Sequence, residues 1–595
     1  MVSSSSTPSS RDSLVPATFL PSLTPPQTSQ SLPHILELER KIHELESAAT
    51  MPNMGDWVLY HQYVEQGLGD KDCLAAFFSL SPALRATLCL MAASALRPRL
   101  PDFVCIGYFT AARNLLLRSW DTPSIKTLDA MRRLTLFVVN LGQSLASSRL
   151  WRRVLEFTFA LGVHIDPDDS PLTCDLSDKE KNERRTLFSR IYHWYRFLEV
   201  GYATSFSYRF LPGAVKPVPY RDPQELLIHA TDVNILFILN PLLDIIIAAA
   251  RHHYAIPSSV HEIQCSTEVQ SLQLQLQLFL ANTSPSIILT QTDLVSLHHF
   301  LTTFPSAIAA AEILTTTMNY HAARTLITRA QLHLTAHLPL SHPLLFNNPT
   351  ALTRLLSVLA NTLASARTIV RLASHVSQLG GTEGSNSPLR AGFMQSISMT
   401  SFSMFEGVVC LWFLCCRTRA FWWHANPTPA IGGSDGPLTM GISQRLEIRE
   451  CCLDVLRLFV ENDAAAVQEK EEGVSYPTFF DREASKTQMQ SRVLTPMIEC
   501  MRAMVAEMAE FEALVASGVN PAPALASQML DSVVLKLEVL VVDEGLGNSN
   551  TDSSELVARD GAWSYLGLLG EVVKGGVVWN QHYEKGWREF WASVE

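Results

Sequence analysis

The sequence predicts an all-α protein, a large multi-helix bundle or superhelical array behind a Ser/Pro-rich tail. Three observations carry the prediction. From Trp57 onward, apolar residues recur every three or four positions almost without interruption, the period of a helix with one buried face. No run of alternating β-branched residues marks a strand. The gaps between periodic stretches are filled by Gly, Pro, Asn and Ser clusters, the composition of loops.

Residues 1–33 are rich in Ser, Thr and Pro and nearly uncharged. Such a segment buries too little apolar surface to offset its chain entropy, so a disordered tail is expected. In HILELERKIHELES (34–47), Ile35, Leu38, Ile42 and Leu45 are spaced three, four and three apart. That is an a/d seam of barely two heptads, read as a short coiled-coil-like helix over 34–50 that pairs two chains, as homodimer or heterodimer, through 34–47. Ser81-Pro82 has the form of an N-cap followed by proline at the first helical position, and Asp121-Thr122-Pro123 repeats the device. Ile125, Leu128, Met131, Leu134, Val138 and Leu141 then form one stripe at helical spacing.

Further helices fit 104–119, 149–162, 178–200, 233–253, 292–316, 318–337, 350–377, 394–418, 443–468, 486–517, 525–543 and 574–593. The run LQLQLQLFL (272–280) alternates like a strand, but Leu and Gln are good helix formers and β-branching is absent, so a helix is predicted. The resulting division is a helical region over 55–378, a linker over 379–393, and a helical region over 394–595 that completes the same body. No internal repeat at a solenoid period is visible.

With 595 residues, 47% of them hydrophobic, the chain can build a sizeable core. A formal net charge of −11 is a poor basis for a stand-alone nucleic-acid binder. The 11 cysteines are odd in number and none form a Cys-x-x-Cys pair. A disulfide framework is therefore not expected, and the reading is a reducing compartment. The first 20 residues contain no apolar h-region of a secretory signal. Leu236–Ala250 is broken by Asn240, Pro241 and Asp244, and Gly407–Cys416 is bounded by Glu406 and Arg417. A membrane span needs about 20 apolar residues, so both read as buried helices and no membrane partner is predicted.

Residues with reactive chemistry do not assemble into an active site, and no catalytic, cofactor-binding or metal-ligating residue is assigned. Gly142-Gln143-Ser144-Leu145-Ala146 has part of a nucleophile elbow, but an elbow follows a strand and here a helical stripe precedes it. Gly567, Gly570, Gly575 and Gly576 have the wrong spacing for a phosphate loop. His333 and His337 share a helix face with His342 beyond, yet no glutamate lies between them and no third ligand is near. They read as a polar-face or loop-proximal pair. His252-His253, His298-His299, Cys415-Cys416 and Cys451-Cys452 are adjacent and point different ways, the cysteines as small core residues. Asp166-Pro167-Asp168-Asp169, the one Asp-rich candidate for a terpenoid-type enzyme, reads as a loop because proline follows a helix end.

Residues 178–216 carry Lys179, Lys181, Arg184, Arg185, Arg190, Arg196, Arg209 and Lys216 against four acids, a solvated helix face or a stripe for phosphate. Asp543, Glu544, Asp552, Glu555 and Asp560 precede Trp563, Tyr565, Leu566, Leu568 and Leu569. This composition fits an activation segment, or equally a surface loop followed by a packed helix.

One ordered set of features is more specific. Tyr108-Phe109-Thr110-Ala111-Ala112-Arg113 is followed by Pro123-Ser124-Ile125-Lys126-Thr127-Leu128-Asp129-Ala130. Leu161-Gly162-Val163-His164-Ile165-Asp166 comes next, then Glu183-Arg184-Arg185-Thr186-Leu187-Phe188, Gly201 and Leu211-Pro212. Over about 110 residues this resembles the middle homology region of fungal zinc-cluster transcription factors, the fungal-specific transcription factor domain. Tyr320-His321-Ala322-Ala323-Arg324 resembles the family's later Tyr-His helix, and 36–46 its short dimerising coiled coil. Ser189 stands where the family often has Trp, Tyr195 where it often has Asp, and Gly201-Tyr202-Ala203 where it has Gly-Arg-Pro. The chain is thus similar to a divergent member.

The resemblance implies a nuclear regulatory module controlling RNA polymerase II transcription, with the transcription machinery or co-regulators as partners. In the family, zinc and base-specific DNA contact belong to a six-cysteine head. No residue here carries that pattern, so no cofactor is expected in this chain, and zinc only if an upstream cluster is missing. The expectation is a truncated start, with DNA reached through a missing upstream head. The alternative is a helical interaction protein that dimerises with a complete factor and modulates it. On physical grounds Gly162 suits a left-handed helix end, and Phe188, Ile191, Tyr192 and Tyr195 form a core face. Arg184 and Arg185 sit too near their helix start to favour its dipole, so they are expected to pair with acids elsewhere.

Overall fold

The computed structural model describes residues 54–65, 74–95, 100, 102–140, 144–202, 210, 214–216, 232–253, 255–283, 287–289, 307–339, 341–379, 389–390, 393, 397–423, 440–463 and 495–517. It also describes four short strands between 535 and 578, and residues 589–591 and 593–594. The chain divides into Met1–Pro52 and Asn53–Glu595. The expected tail 1–33 and pairing helix 34–50 lie outside the described residues.

The architecture is all-α. The first part runs through α1 (Met54–Glu65), α2 (Leu74–Ser79), α3 (Pro82–Ala95), α4 (Asp102–Arg118), α5 (Ile125–Asn140), α6 (Ser144–Ala160) and α7 (Asp178–Tyr202). α3 packs against α1, α4 and α5, and α5 against α6. Their inward stripes make one core that includes Leu128, Met131, Leu134, Trp151, Phe188, Ile191, Tyr192 and Tyr195.

A second core is built by α8 (Asp232–His252), α9 (Val260–Cys265), α10 (Thr267–Asn282), α11 (Ala307–Ile327), α12 (Arg329–His337), α13 (Pro343–Phe346), α14 (Pro349–Gln378), α15 (Ile397–Cys416), α16 (Ile442–Asp463) and α17 (Thr495–Ala516). α14 is its axis, packed by α11, α15 and α16, while α17 lies on α15 and α16. α14 is the one described helix long and apolar enough to cross a bilayer, but most of its apolar window is buried in the core. α7 packs on α8, and there His193 Nδ1 lies 3.1 Å from Asn240 Oδ1 while Arg196 pairs with Asp244.

Local chemistry explains the boundaries. Ser81 Oγ accepts from Leu84 N at 3.4 Å, as the Ser-Pro signal predicts. At the second such signal the cap is Ser124, not the Asp121-Thr122 pair, because its Oγ accepts from Thr127 N at 3.1 Å and α5 begins only at Ile125. Ser259, Ser266 and Asn348 cap α9, α10 and α14, with Pro349 opening α14. α10 confirms a helix over 272–280. Alternating leucines wrap around a helix, so Leu272 and Leu276 are buried while Leu274 and Leu278 face outward.

Four expected helices are corrected. The break expected at 317 lies at Thr328. The Thr315 and Thr316 hydroxyls bond back to the carbonyls of Ala311 and Glu312, so α11 continues through them. Within the expected helix 525–543, Leu535–Lys536 is a strand (β1) paired antiparallel with Val557–Ala558 (β2). Within 574–593, Gly576–Val578 (β4) pairs with Glu571–Val573 (β3), and residues 589–591 are helical. Val572, Val573, Val577 and Val578 are β-branched on either side of Lys574-Gly575-Gly576 in the sequence, a short hairpin signal that the apolar period overrode.

Candidate functional site

Two of the landmark segments, 161–166 and 183–188, meet at the junction of α6 and α7. Gly162 has φ 62°, the left-handed conformation that ends α6, and Val163 N donates to Thr158 O at 3.0 Å. The chain then turns inward and buries Asp166 completely. Arg185, two turns into α7, grips this carboxylate with two nitrogens, Nη2 to Oδ1 at 2.8 Å and Nε to Oδ2 at 3.1 Å. Asp166 also accepts from the backbone N–H of Asp168 at 3.1 Å and of Lys216 at 2.8 Å.

Burial by itself would raise the Asp166 carboxyl. The donors from Arg185, Lys216 and Asp168 outweigh it and hold the group at about 2. Around this centre Lys181 bonds Asp168 at 2.9 Å, Lys216 Nζ bonds Asp169 at 3.2 Å, and Arg184 reaches Leu161 O at 3.2 Å. The Asp-rich loop is thus an ion-paired staple between a helix end and the next helix start. Arg185 pairs with acids outside its own helix, as expected, whereas Arg184 donates to the Leu161 backbone carbonyl. The reading of 178–216 as a solvated face holds for exposed Lys179 and fails for Arg185, which is buried because its partner is.

A second polar cluster lies inside the second core. All nine residues of α12 are buried, including Arg329, Gln331, His333 and His337. Arg329 pairs with Glu406 of α15, whose Oε1 also accepts from Thr325 Oγ at 3.0 Å and Cys410 Sγ at 3.4 Å. His253 Nε2–H donates a hydrogen bond to Leu326 O at 2.7 Å. His333 stacks on Phe413 with centroids 4.5 Å apart, and His337 stacks on Trp591 at 4.8 Å with planes 4° apart. The pair expected on a polar face or near a loop is therefore an aromatic packing element. A neutral imidazole is flat and apolar on both faces, so a buried position between rings suits it.

Beside it, Trp412 Nε1 donates to Glu507 Oε2 at 2.9 Å and Arg417 binds the same carboxylate while lying 4.7 Å from the Trp412 ring. Burial raises the Cys410 and Cys452 thiols and pushes Cys415 up to about 12, so these side chains remain thiols, the weak nucleophilic form.

The remaining candidates disperse. Ser144 is the first residue of α6, preceded by helix α5 among the described residues rather than by a strand. His252 lies at the end of α8, with Nε2 3.5 Å from Ser266 Oγ. Tyr320 and His321 are buried, His321 donating toward Leu289 O at 3.2 Å. His298-His299, Leu211-Pro212, Arg209 and Asp543 through Glu555 lie outside the described residues, as do Trp563 and Tyr565. Among the described residues no group of three or more His, Cys, Asp or Glu is placed to hold a metal.

Sequence reasoning missed Glu406, Arg417 and Glu507 as buried ions. The available signal was a lone charge at each end of the very apolar run 407–416, read there only as the limit of a run too short to span a membrane. Comparison with protein-family models, with curated proteins and with solved structures finds no match to this chain.

Proposed function

We propose that this chain is a regulatory module of a fungal transcription factor, acting in the nucleus on RNA polymerase II transcription. The observation that carries the reading is the Asp166 staple. Two of the landmarks, Leu161-Gly162 with Asp166 and the Arg184-Arg185 pair, meet across one loop, where Arg185 pairs with Asp166 and Arg184 donates to the Leu161 carbonyl. Their recurrence in order is then explained by a shared helix junction. In this reading base-specific contact belongs to a zinc-cluster head that none of these 595 residues carries, and this body transmits or restrains activity.

The test tethers the full chain to a heterologous DNA-binding domain above a reporter promoter in a fungal host. Reporter transcription is expected to change at least severalfold relative to the DNA-binding domain alone. A stable, nuclear fusion that leaves transcription at that baseline would overturn the reading.

A further inference from the structure

We propose that α10 is an interface between two copies of this chain, its outward leucines Leu274 and Leu278 packing on their counterparts across a two-fold axis. α10 has apolar residues on two faces. Val269, Leu272 and Leu276 are buried in the second core, where α10 packs on α8 and α11. Leu274 and Leu278 are 55% and 53% exposed on the opposite side. A surface helix with one partner shows one apolar stripe and a polar back. The run LQLQLQLFL places leucine on both sides, so the outer side calls for a second partner.

The outer stripe has the geometry of a helix-pairing seam. Thr267, Ser271, Leu274, Leu278 and Ala281 are all exposed and stand four, three, four and three apart, the a/d repeat of helices that pack side by side. Thr267, Ser271 and Ala281 are small, so two backbones can approach closely around the central leucines.

Charge selects the occupant. Residues flanking such a seam set which partner is accepted, and here they are Gln270, Gln275, Gln277 and Asn282, all exposed and neutral. Glu268, in the first turn and off the seam, is the one charge on this helix of 16 residues. The chain carries a net −11, so two copies repel over most of their surface. On α10 they meet without that cost. Amide side chains both donate and accept, so the same face complements itself. By contrast Ile442 and Leu446, another exposed pair four apart, are followed on α16 by Glu447, Arg449 and Glu450. A helix of this length is about 24 Å long and about 10 Å wide, so it covers roughly 250 Å² on each copy. A stable dimer needs about 800 Å² per partner, so this dimer is reversible and forms as concentration rises. The inference does not rest on the proposed function, and it uses a different segment from the pairing expected through 34–47.

The experiment is sedimentation velocity of the full chain from about 1 to about 200 µM. Wild type is compared with Leu274→Glu/Leu278→Glu and with Leu274→Lys/Leu278→Lys. Wild type should shift from monomer toward dimer. In each variant the dissociation constant should rise at least about tenfold, with the melting temperature unchanged because these leucines already lie half in water. An equimolar mixture of the two variants at low salt should associate more than either alone, because Glu then meets Lys across the seam. A wild-type chain that stays monomeric throughout would overturn the interface. So would variants that dimerise as wild type does, the result expected if 34–47 alone joins the chains. A mixture no more associated than its components would place the α10 contact on some other surface and overturn the two-fold pairing. Variants that fail to fold would make the leucines part of the core, which is equally fatal to the proposal.

Discussion

A carboxylate taken fully out of water stays charged only when donors replace its hydration shell. Asp166 has four, two from one guanidinium and two from backbone amides. Removing either member of such a pair leaves a buried charge uncompensated, at a cost of about 3–5 kcal/mol. Arg185→Ala is expected to lower unfolding stability by that order, with Asp166→Asn somewhat less harmful because Asp168 still accepts from Arg185 at 2.5 Å. The double variant Asp166→Leu with Arg185→Met should recover much of the loss, since isosteric apolar replacement removes both charges together. Urea unfolding of wild type, Asp166→Leu, Arg185→Met and their double variant as a double-mutant cycle checks this. Strictly additive losses would show that the two residues do not act as a pair. The pairing of Arg185 with acids was legible from its position at a helix start, whereas Asp166 as partner was not, because nothing in a linear spacing of 19 residues specifies contact.

At the scale of elements, two glycines do different work. Gly162 sits at φ 62° with open space where a Cβ would stand. Gly407 is on α15 where it crosses α14, and a Cβ there would meet Ile369 Cγ2 at 2.9 Å. Gly162→Ala is therefore expected to cost about 1–2 kcal/mol, purely from the left-handed backbone, and Gly162→Asn less. Gly407→Val adds bulk into a packed crossing that cannot part freely and is expected to cost about 1–3 kcal/mol or more. Thermal melts of the three variants check the order, and a Gly407→Val protein as stable as wild type would contradict the close crossing. Gly162 was readable from sequence as a helix end. Gly407, at the head of the apolar run 407–416, was not, because close approach is a property of two helices.

For the whole molecule, buried imidazoles set the acid limit. Burial pushes His193, His253 and His321 down to about 4 from 6.5, against the partial support of Asn240 and of the Leu326 and Leu289 carbonyls. Between those two values the unfolded chain holds protons that the folded chain refuses, so stability rises with pH across that window. With up to three protons taken up on unfolding, the slope approaches about 4 kcal/mol per pH unit. The melting temperature should accordingly fall on going from pH 7 to pH 5. Below the ordinary Asp value of 3.8, the Asp166 contribution is lost in turn as pH falls through about 2. Melting scans at pH 7, 6 and 5 test the first window, and a flat or inverted trend would contradict the buried neutral histidines. Both cores feel this change, because His193 belongs to α7 and the other two pack in the second core.

By itself the sequence determined the all-α class, the helical state of 272–280, the left-handed end at Gly162 and the inward face of Phe188, Ile191, Tyr192 and Tyr195. These are local matters: periodicity, capping groups and the absence of a Cβ act within one or two turns. Tertiary structure decided which charges go inside. Arg185 and Lys179 lie on one helix with similar neighbours, yet one is buried against Asp166 and the other is exposed. It also turned His333 and His337 from a polar-face pair into the walls of an indole slot, through rings supplied by Phe413 and Trp591. A buried polar group is stable only when partners from other elements replace water. Those partners are brought together by packing, which no single helix period encodes.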